Sequence, residues 1–166
     1  QNLTIGFEDR TLYRNLSFDI NAGDYCFVIG ENGAGKTTLM KTILGLRKPV
    51  SGSVTTSDGL KPDEIGYMPQ QTVVQRDFPA SVSEIVMSGF IGKLGRRPFF
   101  TAEQRRLAYS NMERLGVNDL ARKCYRELSG GQQQRVLLAR TLCAASRVLL
   151  MDEPVAGLDP YVTEEF

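Results

Sequence analysis

Apolar residues come in short bursts at the front of this chain and at helical spacing further along. Leu3 to Phe7 and Leu16 to Ile20 read as two strands, separated by the turn-prone Glu8-Asp9-Arg10. Cys26 to Ile29 is a continuous apolar run, which predicts a strand buried on both faces. Leu39, Ile43, Leu44 and Leu46 then carry helical spacing from Thr37 to Leu46. After the turn-rich stretch 49–59, with Ser53 to Thr55 as a short strand, Ile65 to Met68 reads as a further buried strand ended by Pro69.

From Ser81 the texture becomes helical. Ser81 and Glu84 stand at capping-box spacing ahead of Val82, Ile85, Val86 and Met87, and Thr101 and Gln104 repeat it ahead of Leu107, Met112 and Leu115. Ser129 can cap a third helix running to about Ala144, and Arg147 to Met151 returns to a buried-strand pattern. The pattern predicts an α/β core with an antiparallel β region at the front and an inserted helical subdomain. The expected divisions are 1–80, the antiparallel region and first part of the core; 81–128, the helical insert; and 129–166, a helix, an acidic strand and the loop after it.

Composition narrows the partners. The 166 residues suit one domain with an inserted lobe, and 42% apolar with 23% charged residues is ordinary for a globular protein. Twenty basic and nineteen acidic side chains nearly cancel, which argues against bulk binding to nucleic acid or an anionic membrane. The basic group Lys93, Arg96, Arg97, Arg105 and Arg106 reads as a solvated or partner-facing surface, so no direct nucleic-acid binding is expected. No apolar run is long enough to span a bilayer and the start lacks a secretory pattern, so a membrane role is expected through a partner. Cys26, Cys124 and Cys143 are scattered and histidine is absent, which predicts free thiols in a reducing compartment and no zinc site.

Gly30-Glu31-Asn32-Gly33-Ala34-Gly35-Lys36-Thr37 fits G-x-x-x-x-G-K-[ST] between a predicted strand and a predicted helix. Such a loop turns several N–H groups toward one phosphate, and the helix start adds its positive end. Lys36 is expected to neutralise β- and γ-phosphate oxygens, Thr37 to coordinate Mg²⁺ and Thr38 to add a phosphate hydrogen bond. Val148 to Met151 runs into Asp152 and Glu153 at a strand's carboxyl end, where ligands gather in open α/β sheets. Asp152 suits Mg²⁺ and Glu153 suits the attacking water as a general base; read alone, the pair is also a solvated strand end.

Leu128-Ser129-Gly130-Gly131-Gln132, continued by Gln133-Gln134-Arg135, resembles the signature motif of ABC ATPase domains. By its residues alone it is a helix cap and a second phosphate-ready helix start. The resemblance spans essentially the whole chain and implies a P-loop NTPase core of ABC ATPase type, using ATP and Mg²⁺. It implies a head-to-tail dimer in which Ser129, Gly130, Gly131 and Gln132 meet ATP held by a second ATP-binding domain. It also implies that Phe7 stacks on adenine, with Tyr13 as the lesser candidate; by residue type alone Phe7 also reads as a core aromatic. Gln70, with Gln71 beside it, is implied to contact Mg²⁺ and the attacking water, and Asp159 to communicate across the dimer.

The same resemblance implies a motor subunit bound peripherally at the cytoplasmic face of the membrane. Its partners would be permease subunits and, indirectly, an extracytoplasmic substrate-binding protein. Asp77 to Gly89 and Gly116 to Ala121 are similar to importers of zinc, manganese or iron, so a divalent metal is the expected cargo. An iron chelate, or a soluble ABC ATPase outside transport, are the alternatives. The family places a switch histidine after the next core strand, whereas this chain ends at Phe166 without one. The expectation is that a C-terminal part is missing and that the segment alone hydrolyses ATP poorly.

Overall fold

In the computed structural model, which describes residues 1–7, 10–24, 26–56, 59–61, 64–69 and 78–152, Leu3–Phe7 (β1) pairs antiparallel with Arg10–Leu16 (β2). The chain divides into two compact units, Gln1–Pro62 and Asp63–Phe166.

In the first unit, β2 lies earlier than the expected Leu16–Ile20. The register runs Phe7↔Arg10, Gly6↔Thr11, Ile5↔Tyr13 and Leu3↔Leu16, with irregularities on either side of Ile5. Leu12, and then Arg14 with Asn15, supply the extra backbone, and Asn15 takes φ 52. Each bulge resets which face the following side chain meets, so β2 shows no clean alternation to read. Leu3, Ile5 and Leu39 form the buried core, with Tyr13, Leu16, Val28 and Ile43 packed on it.

Two other expected strands of this unit do not form. No ladder of the described residues includes 26–29, and Phe27 and Ile29 are 82% and 93% exposed. An apolar run becomes a strand only where a second backbone pairs with it. Ser53–Thr55 forms no strand; Val50 and Ser51 pair with Thr4 instead, through Val50 N–H to Thr4 O at 2.8 Å and Thr4 N–H to Ser51 O at 2.9 Å. The helix Lys36–Ile43 (α1) stops short of Leu46. Gly45 at φ 70 ends it in a Schellman motif, Leu46 N–H donating to Lys41 O at 2.9 Å and Gly45 N–H to Thr42 O at 3.0 Å.

In the second unit, Ile65–Met68 (β3) and Val148–Met151 (β4) pair in parallel, from Ile65↔Val148 to Met68↔Met151. Between them lie the helices Val82–Met87 (α2), Ala102–Arg114 (α3) and Gly130–Ala144 (α4). All three begin with the expected capping boxes, Ser81 with Glu84, Thr101 with Gln104 and Ser129 with Gln132. Short 3₁₀ turns at Ser88–Lys93, Asn118–Leu120 and Tyr125–Glu127 join them. One core gathers Val82, Val86, Met112, Tyr125, Val136 and Cys143 with Met68. The segment before α2 is tied to the one before α4, Val82 N–H donating to Lys123 O at 3.0 Å and Tyr125 N–H to Ala80 O at 2.8 Å. Buried Gln133 is satisfied, its Nε2 donating to Tyr125 O at 3.0 Å.

Candidate functional site

The phosphate-binding candidate occupies the first unit. Gly35 precedes α1 at φ 97, a conformation costly for any residue with a Cβ. A Cβ there would also lie 2.8 Å from Leu12 Cδ1 and 3.2 Å from Tyr13 Cε2, so β2 backs the loop where its backbone turns. Asn32 and Gly33 form the exposed crest, and Ala34 N–H closes the turn on Glu31 O at 3.2 Å. Lys36 Nζ donates to Gly30 O at 2.7 Å and to Glu31 O at 3.0 Å. The ammonium is thus curled over its own loop. Thr37 and Thr38 follow in the first turn of α1, and Thr38 O accepts from Thr42 Oγ1 at 2.8 Å. Phe7 ends β1 opposite Arg10.

The acidic candidate belongs to the second unit. Asp152 follows β4 directly, its N–H donating to Met68 O at 2.9 Å, so the strand pairing carries on to the acid. Asp152 is only 3% exposed. Paired residues in neighbouring strands share a face and successive residues alternate. Gly66 and Met68 face α4: a Cβ on Gly66 would come 2.7 Å from Thr141 O, and Met68 is in the helical core. Tyr67, Leu150 and Asp152 therefore share the opposite face. Tyr67 Oη is buried there without a hydrogen-bond partner among the described residues. Burial pushes the Tyr67 phenol above its ordinary pKa, and the Asp152 carboxylate adds to the rise. Sequence reading passed over Tyr67; its signal was the two-residue period of two strands whose pairing the sequence does not state. Gln70, Glu153 and Asp159 lie outside the described residues.

The third element is the start of α4. Ser129 Oγ accepts from Gln132 N–H at 3.3 Å, and Gln132 Oε1 accepts from Ser129 N–H at 3.0 Å. Gly130 and Gly131 form the first turn, and a Cβ on Gly130 would meet nothing within 4 Å. Packing among the described residues does not require glycine at that place. The structure thus places the loop residues in one unit, and Asp152 with the capped start of α4 in the other.

Thr37 in the first unit and Asp152 in the second each offer oxygen, the ligand type that Mg²⁺ takes when one or two protein oxygens and phosphate hold it. The orphaned Tyr67 hydroxyl adds a buried polar atom on the acid's own face. Among the described residues no three His, Cys, Asp or Glu side chains cluster into an all-protein metal cage. No helix of the described residues is long and apolar enough to cross a membrane.

A sequence-family profile described as "ABC transporter" matches residues 13–156. The chain is 39% identical over 163 residues to the manganese transport system ATP-binding protein MntB of Bacillus subtilis, covering 95% of this chain and 64% of that protein. It is 40% identical over 159 residues to the zinc import ATP-binding protein ZnuC of Psychrobacter cryohalolentis, covering 96% of this chain and 60% of that one. It therefore spans less than two thirds of either relative. Among solved structures, the dimeric bacterial ABC transporter cassette MJ0796 superposes with a TM-score of 0.78 at 27% identity, covering 99% of this chain and 77% of that one.

Proposed function

This chain belongs to the ABC transporter family, and on that premise we propose that it is the ATP-hydrolysing part of a transport motor whose cargo is a divalent metal ion. The observation that carries the proposal is the 30–37 loop entering α1 with Lys36 Nζ held on Gly30 O and Glu31 O. In the loaded site Lys36 exchanges those carbonyls for β- and γ-phosphate oxygens, while loop N–H groups and the start of α1 donate to the same anion. Thr37, Asp152 and Gln70 would hold Mg²⁺, which would supply positive charge to the phosphate oxygens. Glu153 orients the attacking water and takes its proton as the water approaches the γ-phosphate in line. Phe7 stacks on adenine.

Ser129, Gly130, Gly131 and Gln132 serve an ATP bound to a second ATP-binding domain in a head-to-tail dimer, and Asp159 links the two sites. The open side of Gly130 supports this reading, because close approach by an outside group accounts for a glycine that internal packing does not need. The motor sits at the cytoplasmic face of the membrane on a permease that is served by an extracytoplasmic binding protein. Exposed Phe78, Ile91 and Phe99 offer apolar contact to such a partner. The names of MntB and ZnuC support manganese or zinc as the cargo class.

The test is Lys36→Ala in the full-length native gene, followed by whole-cell elemental content under metal-limited growth. A selective fall in one divalent metal, restored by excess of that metal, supports the proposal. Unchanged content, with the variant protein present and no duplicate uptake system, overturns it.

A further inference from the structure

We propose that Tyr67 is a positioning residue for the Mg²⁺–nucleotide site, its hydroxyl donating through one water to the Asp152 carboxylate when that site is loaded. The inference rests on the ATPase reading above and adds a residue to it.

Three observations carry it. The first is the register. Tyr67 pairs with Leu150 and Met68 with Met151, and the Asp152 N–H to Met68 O bond extends the same ladder by one step. Tyr67 and Asp152 therefore stand on one face of the strand pair, a diagonal step apart. A tyrosine side chain leaning along its strand spans that kind of step.

The second is what lies on the other face. Gly66 is pressed against α4, where a Cβ would be 2.6 Å from Ala145 Cβ, and Met68 is buried in the helical core. The strand pair is thus fixed against α4 on its far side, which holds the Tyr67–Asp152 face in place. Asp152 itself is buried at its strand end.

The third is the hydroxyl. Tyr67 Oη is shut away from solvent with no hydrogen-bond partner among the described residues. An orphaned buried donor is a net cost to a fold, and phenylalanine would fill the same volume without it. A polar atom kept at that cost needs a use, and the neighbouring carboxylate supplies one. Carboxylates that ligate a metal are themselves held by hydrogen bonds, which fix the oxygen they present and tune their basicity. Through such a bond Tyr67 would set the orientation of Asp152 without touching nucleotide.

The experiment is Tyr67→Phe in the full-length protein, with three readouts against the unsubstituted protein. These are the thermal midpoint without nucleotide, the affinity for a non-hydrolysable ATP analogue in EDTA, and the Mg²⁺ dependence of binding that analogue. The expected result is an equal or higher midpoint, unchanged affinity in EDTA, and Mg²⁺ affinity lowered about tenfold. A merely structural tyrosine predicts a lower midpoint with equal losses in EDTA and in Mg²⁺, and that result overturns the proposal. So does an unaltered Mg²⁺ dependence. If the unsubstituted protein itself shows no Mg²⁺-dependent analogue binding, the ATPase reading fails first, and that failure is distinct from the other two.

Discussion

Gly66 lies so close to Ala145 that a side-chain carbon on the glycine would stand 2.6 Å from the alanine Cβ. The backbone of α4 gives no room either, since Thr141 O would be 2.7 Å away. Strand β3 therefore lies on the helix at backbone distance. Gly66→Ala should push the two apart and destabilise the fold by about 2 kcal/mol. A denaturation midpoint shifted at constant m-value would show it. An unchanged midpoint would mean that β3 stands off the helix.

Gly130 is the opposite case. Among the described residues nothing beyond its own helix backbone and chain neighbours lies within 4 Å of where its Cβ would be. Gly130→Ala should stabilise the ligand-free protein by about 0.5 kcal/mol, because alanine loses less backbone entropy in a helix. The same substitution should weaken ATP-dependent pairing of two domains. Melting and sedimentation on one sample check both signs.

Ser129 has a capping duty that can be separated from phosphate contact. Ser129→Ala removes the acceptor for Gln132 N–H and should cost about 1 kcal/mol. Ser129→Asp keeps the cap, and with it the stability, while setting a carboxylate where phosphate is expected. ATP turnover by the full-length protein should fall in both variants. Full activity in Ser129→Asp would leave the residue as a cap alone.

Glu84 should make stability depend on acidity. The side-chain bond from Ser81 Oγ at 2.6 Å, and then the backbone bond from Ser81 N–H at 2.8 Å, hold its carboxyl below the ordinary glutamate value. A folded-state value lowered in this way gives stability that is complete above the unfolded value and is lost as pH falls through the folded one. Ser81→Ala should flatten that loss. Unfolding curves taken from neutral pH down into the acid range, with and without the substitution, measure the difference.

The thiols should separate by burial. Cys26 is exposed, whereas Cys143 is buried and burial raises its thiol pKa. Asn111 Nδ2 donates to its sulfur at 3.4 Å, which acts in the opposite direction and more weakly. Alkylation of the native protein at pH 8 should mark Cys26 first and reach Cys143 only on unfolding. Mass-spectrometric peptide mapping decides it.

What was legible in the sequence was local. A hydroxyl followed three residues later by Glu or Gln closes its own hydrogen bonds, so Ser81, Thr101 and Ser129 announced their helices without reference to the rest of the chain. Strands depend on a partner. Cys26–Ile29 had the composition of a buried strand and takes part in no ladder of the described residues, while the bulges at Leu12 and Asn15 hid β2 from any search for alternation. The candidate site divides in the same way. The glycine loop and the cap before α4 could be read as motifs, but Tyr67 gained its meaning only once β3 was known to lie beside β4. Gln70, Glu153 and Asp159 came from the family resemblance and lie outside the described residues.

The pairing of β3 with β4 also orders events during synthesis. All of α2, α3 and α4 lies between the two strands in sequence, so Ile65–Met68 leaves the ribosome with no Val148–Met151 to meet. Closing so long a loop costs less once its interior has condensed, and the helical core with its three capping boxes is the part able to condense early. The strand carrying Asp152 arrives last among the described elements and adds to a surface that is already built. A chain halted before Val148 would hold a packed helical body and an unpaired β3, with no carboxylate yet at the strand end.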